Sequence, residues 1–235
     1  SVLADTQTLR VPRPVTHGLS DGQAFLVLEY IELKNSGNTR LLGEQLAAMH
    51  RCASPPLPAR ERAGARVDTL PSHITTPILS FPLQGGRNEN AAARFGFNFD
   101  NFIGSTPQRN TWTSDWITFW REHRLGFQLD LAARNGYGSA LQTLGHQLME
   151  RLPDFFRGYQ PVPSLLHGDL WGGNHAYAAN GLPVVFDPAP YFGDREADLA
   201  MTELFGGFDR EFYDAYRSAW PLDAGYATRK ILYNL

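Results

Sequence analysis

Short apolar runs and polar breaks alternate from residue 11 to residue 33. Val11–Thr16 is followed by Gly18-Leu19-Ser20-Asp21-Gly22 and then by Ala24–Ile31, rich in strand formers. This pattern predicts a β-hairpin with its turn in residues 18–22. Lys34–Asn38 is polar and reads as a connector. Leu41, Leu42, Leu46 and Met49 recur at helical spacing, and Pro55-Pro56 closes that helix. Residues 55–109 are irregular, with six prolines before Gln84. Within them Phe95, Phe97 and Phe99 alternate with Gly96, Asn98 and Asp100, predicting a short strand whose aromatic face packs in the core or turns to a substrate. Two helices follow. Trp116, Phe119, Trp120, His123 and Phe127 form one stripe, with Thr113 or Ser114 as cap and His123 as a partly buried core residue. Leu141, Leu144, Leu148 and Leu152 form the other, stopped by Pro153. A strand at 164–167 precedes a strand pair joined by Asn180-Gly181, whose outgoing strand is Leu182–Phe186. Helices are expected over Glu196–Phe205 and over Arg210–Trp220 behind a capping Asp209. Ile231–Leu235 reads as the opening of a further one.

Composition narrows the function classes. The 235 residues are 43% hydrophobic and 12% aromatic, enough for the core of one good-sized domain or of the larger lobe of something bigger. A formal charge of −3 and an isoelectric point near 6.1 argue against a nucleic-acid footprint, which needs a basic face. The single Cys52 excludes a disulfide framework and a multi-cysteine metal site, and suits a cytoplasmic protein. Ser1–Arg10 has no apolar core and is not a signal peptide. The most apolar window, Ala24–Leu33, carries Glu29 and Glu32 and is too short to span a bilayer, so no membrane role is expected. The basic residues are 19 Arg and only two Lys, Lys34 and Lys230, so a mechanism that needs a lysine must choose between those two.

Several motifs fail on context. Residues 18–22 match the G-x-S-x-G of a hydrolase elbow, but strand-like residues follow where that motif needs a helix. Gly136-Tyr137-Gly138 lacks the third glycine and the preceding strand of a dinucleotide fingerprint, and neither lysine follows a glycine as a Walker loop requires. His167 and His175 are too isolated for zinc.

His167-Gly168-Asp169-Leu170-Trp171-Gly172-Gly173-Asn174 fits H-x-D-x-x-x-x-N, and a buried strand ending in Asp187 lies 18 residues beyond Asp169. Each residue alone has an ordinary structural use: a turn cap, a left-handed position, a strand end. Together they are what phosphoryl transfer needs. One carboxylate accepts the hydroxyl proton, and an amide with a second carboxylate offers hard oxygen ligands to Mg²⁺. The aspartate-to-asparagine interval equals that of the protein-kinase catalytic loop, and Asp187-Pro188-Ala189 stands where kinases carry D-F-G.

These residues, with PVVFDPAPYFGDREADLAMTELFGGF (183–208) and IGSTPQRN (103–110), resemble the fructosamine/ketosamine-3-kinase family, kin of the aminoglycoside and choline kinases. The resemblance covers nearly the whole chain. It implies an α+β, protein-kinase-like fold and ATP-dependent, Mg²⁺-assisted phosphorylation of the 3-hydroxyl of a ketoamine, free or protein-bound. The phosphorylated adduct then breaks down and releases the amine, reversing early glycation. By the same resemblance Asp169 is the catalytic base, and Asn174 and Asp187 are magnesium ligands. Glu29-Tyr30-Ile31 is the hinge that meets adenine through its backbone. Asp198, with His167, supports the catalytic loop from below, and Trp171 stacks on the sugar or packs on the helical lobe.

One departure stands out: no Lys and no Glu precedes Glu29, so the lysine–glutamate clamp for the phosphates is missing from these residues. The expectation is a remnant of a small lobe with the hinge at 1–33 and a mostly helical large lobe at 34–235. The N-terminal part of the small lobe is then absent, the last helix is incomplete, and the chain by itself is inactive. Two alternatives stay open: a kinase of the same fold acting on an aminoglycoside or choline-like alcohol, and a non-catalytic pseudokinase module.

Overall fold

A computed structural model describes residues 2–52 and 94–235. The expected mixture of helix and strand is present, as small antiparallel sheets set among helices. After a helical turn, α1 (Val2–Asp5), the hairpin forms from β1 (Pro14–Ser20) and β2 (Gln23–Leu28). Its turn is tighter and later than the glycine spacing suggested. Gly18 pairs with Phe25 inside the ladder, and only Asp21 and Gly22 make the loop, both with positive φ (50° and 78°). That is the geometry in which a two-residue loop matches strand twist, and glycine and aspartate tolerate it best. The strand ends at Leu28 rather than Ile31. Both faces of this hairpin are largely exposed.

The core lies elsewhere. β3 (Leu33–Lys34) joins β7 (His175–Ala178) and β8 (Pro183–Val185) in one sheet, and β6 (Pro163–Leu166) pairs with β9 (Tyr191–Asp194). α2 (Thr39–His50) packs against α7 (Arg210–Ala219), its Gly43 close against the Phe212 carbonyl, and Leu42, Leu46 and Met49 are fully buried in one cluster with Phe212 and Tyr216. Leu3, Leu9 and Val11 are buried in the same cluster, and Arg10 bridges to Val184. So Leu3, Leu9 and Val11, ahead of the hairpin, share a buried cluster with α2 and α7. Asn180-Gly181 does connect β7 and β8, through a longer loop. Gly181 N–H donates to Ala178 C=O and Ala178 N–H to Leu182 C=O, which is the bulged hairpin connection rather than the two-residue one.

The remaining differences have local causes. Phe95 and Phe97 are core residues, joined to Thr113 and Asn110 by backbone bonds, whereas Phe99 is 59% exposed. The regular strands of this region are β4 (Asn101–Ile103) and β5 (Thr106–Gln108). α3 (Trp116–Trp120) is capped by Asp115, whose carboxylate accepts the Thr118 N–H at 2.7 Å, not by Thr113 or Ser114. It runs through a π-helical turn, Arg121–Leu125, into α4 (Gly126–Arg134). His123 packs edge-on against Phe119 within that turn. α5 (Ser139–Phe155) passes through Pro153 instead of stopping at it. A proline leaves the carbonyl four residues earlier without its helical donor. Here Arg121 Nε donates to that carbonyl, Met149 C=O, at 3.2 Å, so the last turn survives.

α6 (Arg195–Leu204) and α7 fall within a residue or so of expectation, although Asp209 caps α7 without a side-chain bond. α8 (Tyr226–Tyr233) starts five residues before the expected opening at Ile231. Its buried stripe includes Arg229, which a reading of apolar periodicity passes over. Arg229 makes a bidentate pair with Glu196 (2.6 and 3.0 Å) and lies 3.7 Å over the Tyr159 ring. The closing Pro55-Pro56 lies outside the described residues. Among the described residues no helix is long and apolar enough to cross a membrane.

Candidate active site

The loop between β6 and β7 holds the H-x-D-x-x-x-x-N residues, and its anchoring alternates. His167, Leu170 and Asn174 are buried, with Asp169 half-buried and Trp171 38% exposed between them. His167 is held by burial, which pushes its pKa down more than Asp198 and the Phe186 carbonyl push it up. The neutral ring donates from Nε2 to Phe186 C=O at 3.0 Å and accepts the Asp169 N–H on Nδ1 at 3.3 Å. Asn174 Nδ2 donates to both the Asp169 carbonyl (2.7 Å) and its Oδ2 (3.1 Å). The five-residue interval therefore closes a ring that orients the carboxylate.

Gly168 is the tight point of the loop. Its φ is +83°, and a Cβ there would stand 2.0 Å from Ala189 C=O. Only glycine lets the two segments touch. Ala189 N–H donates to His167 C=O at 2.9 Å across the same contact. The 187–190 turn thus lies against the β6–β7 loop.

Asp187, just after β8, is exposed, and among the described residues its carboxylate takes no hydrogen bond or ion pair. Its φ is +53°, a left-handed backbone before Pro188. A residue before proline is normally pushed to extended conformations, so this is local strain at a site that points a carboxylate outward. Asp187 also acts on Asp169. Burial raises the Asp169 pKa, the Asn174 bond opposes that, and the charges of Asp198 and Asp187 raise it further.

Asp198, on α6, sits beneath the loop and is 1% exposed. Its Oδ2 accepts the His167 N–H (2.7 Å) and its Oδ1 the Gly168 N–H (2.8 Å). Burial pushes its pKa up, but the hydrogen bonds it accepts from His50 and from the Gly168 N–H outweigh it, and the net shift is downward.

The other sequence candidates are differently placed. Glu29 N–H is bonded to Arg13 C=O (2.9 Å), and its carboxylate pairs with Arg10 (3.1 Å) and Arg13 (3.2 Å). Tyr30 is 91% exposed and Ile31 half-buried. Trp171 stands with its ring edge-on to Phe205, 5.6 Å between centroids, and Phe205 is itself 67% exposed. Each of the two lysines has a partner of its own. Lys34 Nζ bonds the Ala179 carbonyl (3.2 Å), and Lys230 Nζ pairs with Glu203 (2.6 Å).

Sequence reasoning missed two supports. Gln108 Nε2 donates to Ala189 C=O (3.0 Å) and to Asn101 Oδ1 (2.8 Å), while Asn101 Nδ2 donates to Pro190 C=O (2.9 Å). This amide pair fixes the turn after Asp187 from the β4–β5 side. The second support is His50, whose Nε2 lies 3.1 Å from Asp198 Oδ2. Its position four residues after Leu46, on the buried stripe of α2, was the available signal.

Asn174 and Asp187 offer the hard oxygen donors that Mg²⁺ takes. Among the described residues no group of three His, Cys, Asp or Glu is close enough to hold a metal by itself.

The fructosamine kinase family profile matches residues 1–75 and 86–235. A probable ketoamine kinase of Synechocystis sp. is 42% identical over 235 residues, which cover 99% of this chain and 66% of that protein. The chloroplastic protein-ribulosamine 3-kinase of Arabidopsis thaliana is 40% identical over 234 residues, 98% of this chain and 60% of that protein. The chain thus spans less than two thirds of the length of these two relatives. A crystal structure from Haemophilus somnus, designated a candidate fructosamine-3-kinase, superposes with a TM-score of 0.75 at 28% identity, covering 99% of this chain and 65% of its own. A second, from Thermobifida fusca, gives 0.69 at 29% identity, with 99% and 68% covered. With the match running along both described segments and across the β6–β7 loop, the chain belongs to the fructosamine kinase family.

Proposed function

We propose that this chain carries the acceptor-activating part of a kinase that transfers the γ-phosphoryl group of ATP to the 3-hydroxyl of a ketoamine, free or protein-bound. The observation that carries the reading is Asp169: a half-buried carboxylate oriented by Asn174, on a loop braced by Asp198, in a chain of this family. Its oxygen takes the hydroxyl proton as the acceptor oxygen attacks phosphorus and ADP leaves. Asn174 and Asp187 would hold Mg²⁺, which supplies neutralisation of charge on the phosphates. The backbone of Glu29-Tyr30-Ile31 is the proposed adenine contact, through groups other than the Glu29 N–H, which is already bonded to Arg13 C=O.

The 235 residues alone are proposed to be deficient in turnover, because both lysines are engaged away from this site. The test therefore uses the full-length protein with ATP, Mg²⁺ and fructosyl-lysine, followed by ³¹P NMR. A phosphate on the sugar 3-oxygen is expected. Phosphorylation only of an aminoglycoside or choline, or no turnover, would overturn the reading.

Trp171 is the proposed stacking face for the acceptor sugar, since its ring is partly exposed two residues after the base. Trp171→Ala is expected to raise KM for the ketoamine roughly three- to tenfold, with KM for ATP unchanged. An unchanged ketoamine KM would leave Trp171 as packing against Phe205 only.

A further inference from the structure

We propose that Arg195, Tyr216 and His50 form a one-way hydrogen-bond relay that positions the catalytic loop through Asp198. Its effect on rate rests on the kinase reading above, but its protonation pattern does not.

The direction of each bond follows from what each group can do. Arg195, the first residue of α6, is 6% exposed, and the bonds it makes go to carbonyls and a hydroxyl rather than to a carboxylate. Its guanidinium lies 4.1 Å over the Trp220 ring and donates to Trp220 C=O (3.0 Å) and Pro221 C=O (2.6 Å) at the end of α7. A cation is favoured against the carbonyl end of a helix. From the same Nη1 it reaches Tyr216 Oη at 3.3 Å. A guanidinium only donates, so the tyrosine oxygen accepts.

The hydroxyl proton of Tyr216 must then go elsewhere. Tyr216 is 0% exposed, and burial holds its phenol protonated. Its one other partner among the described residues is His50 Nδ1, at 2.8 Å. The imidazole nitrogen therefore accepts, and the ring proton sits on Nε2, 3.1 Å from Asp198 Oδ2. A doubly protonated His50 would also donate to Tyr216. The tyrosine proton would then be buried without an acceptor, which costs free energy.

Asp198 thus receives three donors, from His50, His167 and Gly168, and none of the chain's links is left unsatisfied. The chain ties the end of α7, through α2, to the two amides that hold Asp169 in place. His50 and Tyr216 touch no reacting atom in this scheme. They are positioning residues, separated by 166 positions in sequence.

The test has two arms. In ¹⁵N-labelled protein at neutral pH, the His50 ring should show an unprotonated Nδ1 and a protonated Nε2. An Nδ1-protonated ring or an imidazolium would overturn the relay. In the full-length protein, Tyr216→Phe keeps the ring's packing and removes one oxygen. It should lower kcat about five- to thirtyfold with both KM values unchanged. His50→Gln, whose amide can still donate to Asp198, should retain more activity than His50→Leu. A KM that moves with kcat, or His50→Gln no better than His50→Leu, would reduce these residues to packing. Should the parent phosphorylate no ketoamine, the proposed function falls, while the His50 tautomer still decides the relay.

Discussion

Replacing Asp169 by Asn in the full-length protein is expected to lower kcat for ketoamine phosphorylation by about 10²- to 10⁴-fold, the usual share of a general base. The amide introduced keeps the shape and can still accept the Asn174 N–H, so KM for ATP should hold. Thermal stability should not fall, and should rise slightly near neutral pH. The sign follows from the raised pKa of Asp169, caused first by burial and then by the charges of Asp198 and Asp187. A carboxyl whose folded pKa lies above its unfolded value binds its proton more tightly when folded. Stability therefore declines as pH rises from about 3.9 through the raised value, and above it the folded state carries the full cost of the charge. Removing the charge removes that cost. The same shift places the acid limb of kcat/KM above the ordinary aspartate value, because only the ionised carboxylate can take the proton. The checks are steady-state kinetics across pH and a melting curve. A variant with more than about a tenth of parental activity would exclude Asp169 as the base.

Asp198→Ala should show the reverse balance, with stability lost first and activity lost through it. The substitution strands the His167 N–H, the Gly168 N–H and the His50 Nε2–H in a buried site. Unsatisfied buried donors make the expected loss about 3–5 kcal/mol by urea denaturation. The Asp198 pKa is depressed in the folded protein, since the hydrogen bonds it accepts outweigh its burial. Its contribution is thus present above the unfolded value of about 3.9 and is lost as pH falls through the lower folded value. The gap between parent and variant should narrow in acid. A loss below about 1 kcal/mol would mean that the loop does not depend on this carboxylate.

Much of this site was legible along the chain because its parts are close in sequence. Asp169 and Asn174 meet across one loop, and a reading of H-x-D-x-x-x-x-N needs no knowledge of packing. Asp187 at a strand end is likewise a local signal, as is the hairpin at Asp21-Gly22, even though its turn was placed too early. Periodicity failed where packing or a distant side chain overrode a local rule. Pro153 stays helical because Arg121 serves the carbonyl it abandons. The start of α8 was hidden because the buried stripe includes an arginine matched to Glu196. Phe99 belongs to the same alternation as Phe95 and Phe97, yet only the latter two meet the core.

The sequence by itself determined the residue types at the site, their intervals and the family to which they point. Only the tertiary structure decided that His50, Tyr216 and Arg195 stand behind Asp198, and that Gln108 and Asn101 hold the turn after Asp187. It also decided that Leu3, Leu9 and Val11 share a core with the helices that follow. Among those contacts, Gln108 to Ala189 spans 81 positions and His50 to Tyr216 spans 166. Hydrogen-bond direction and burial exist only once the chain brings such groups together, and no local pattern encodes them.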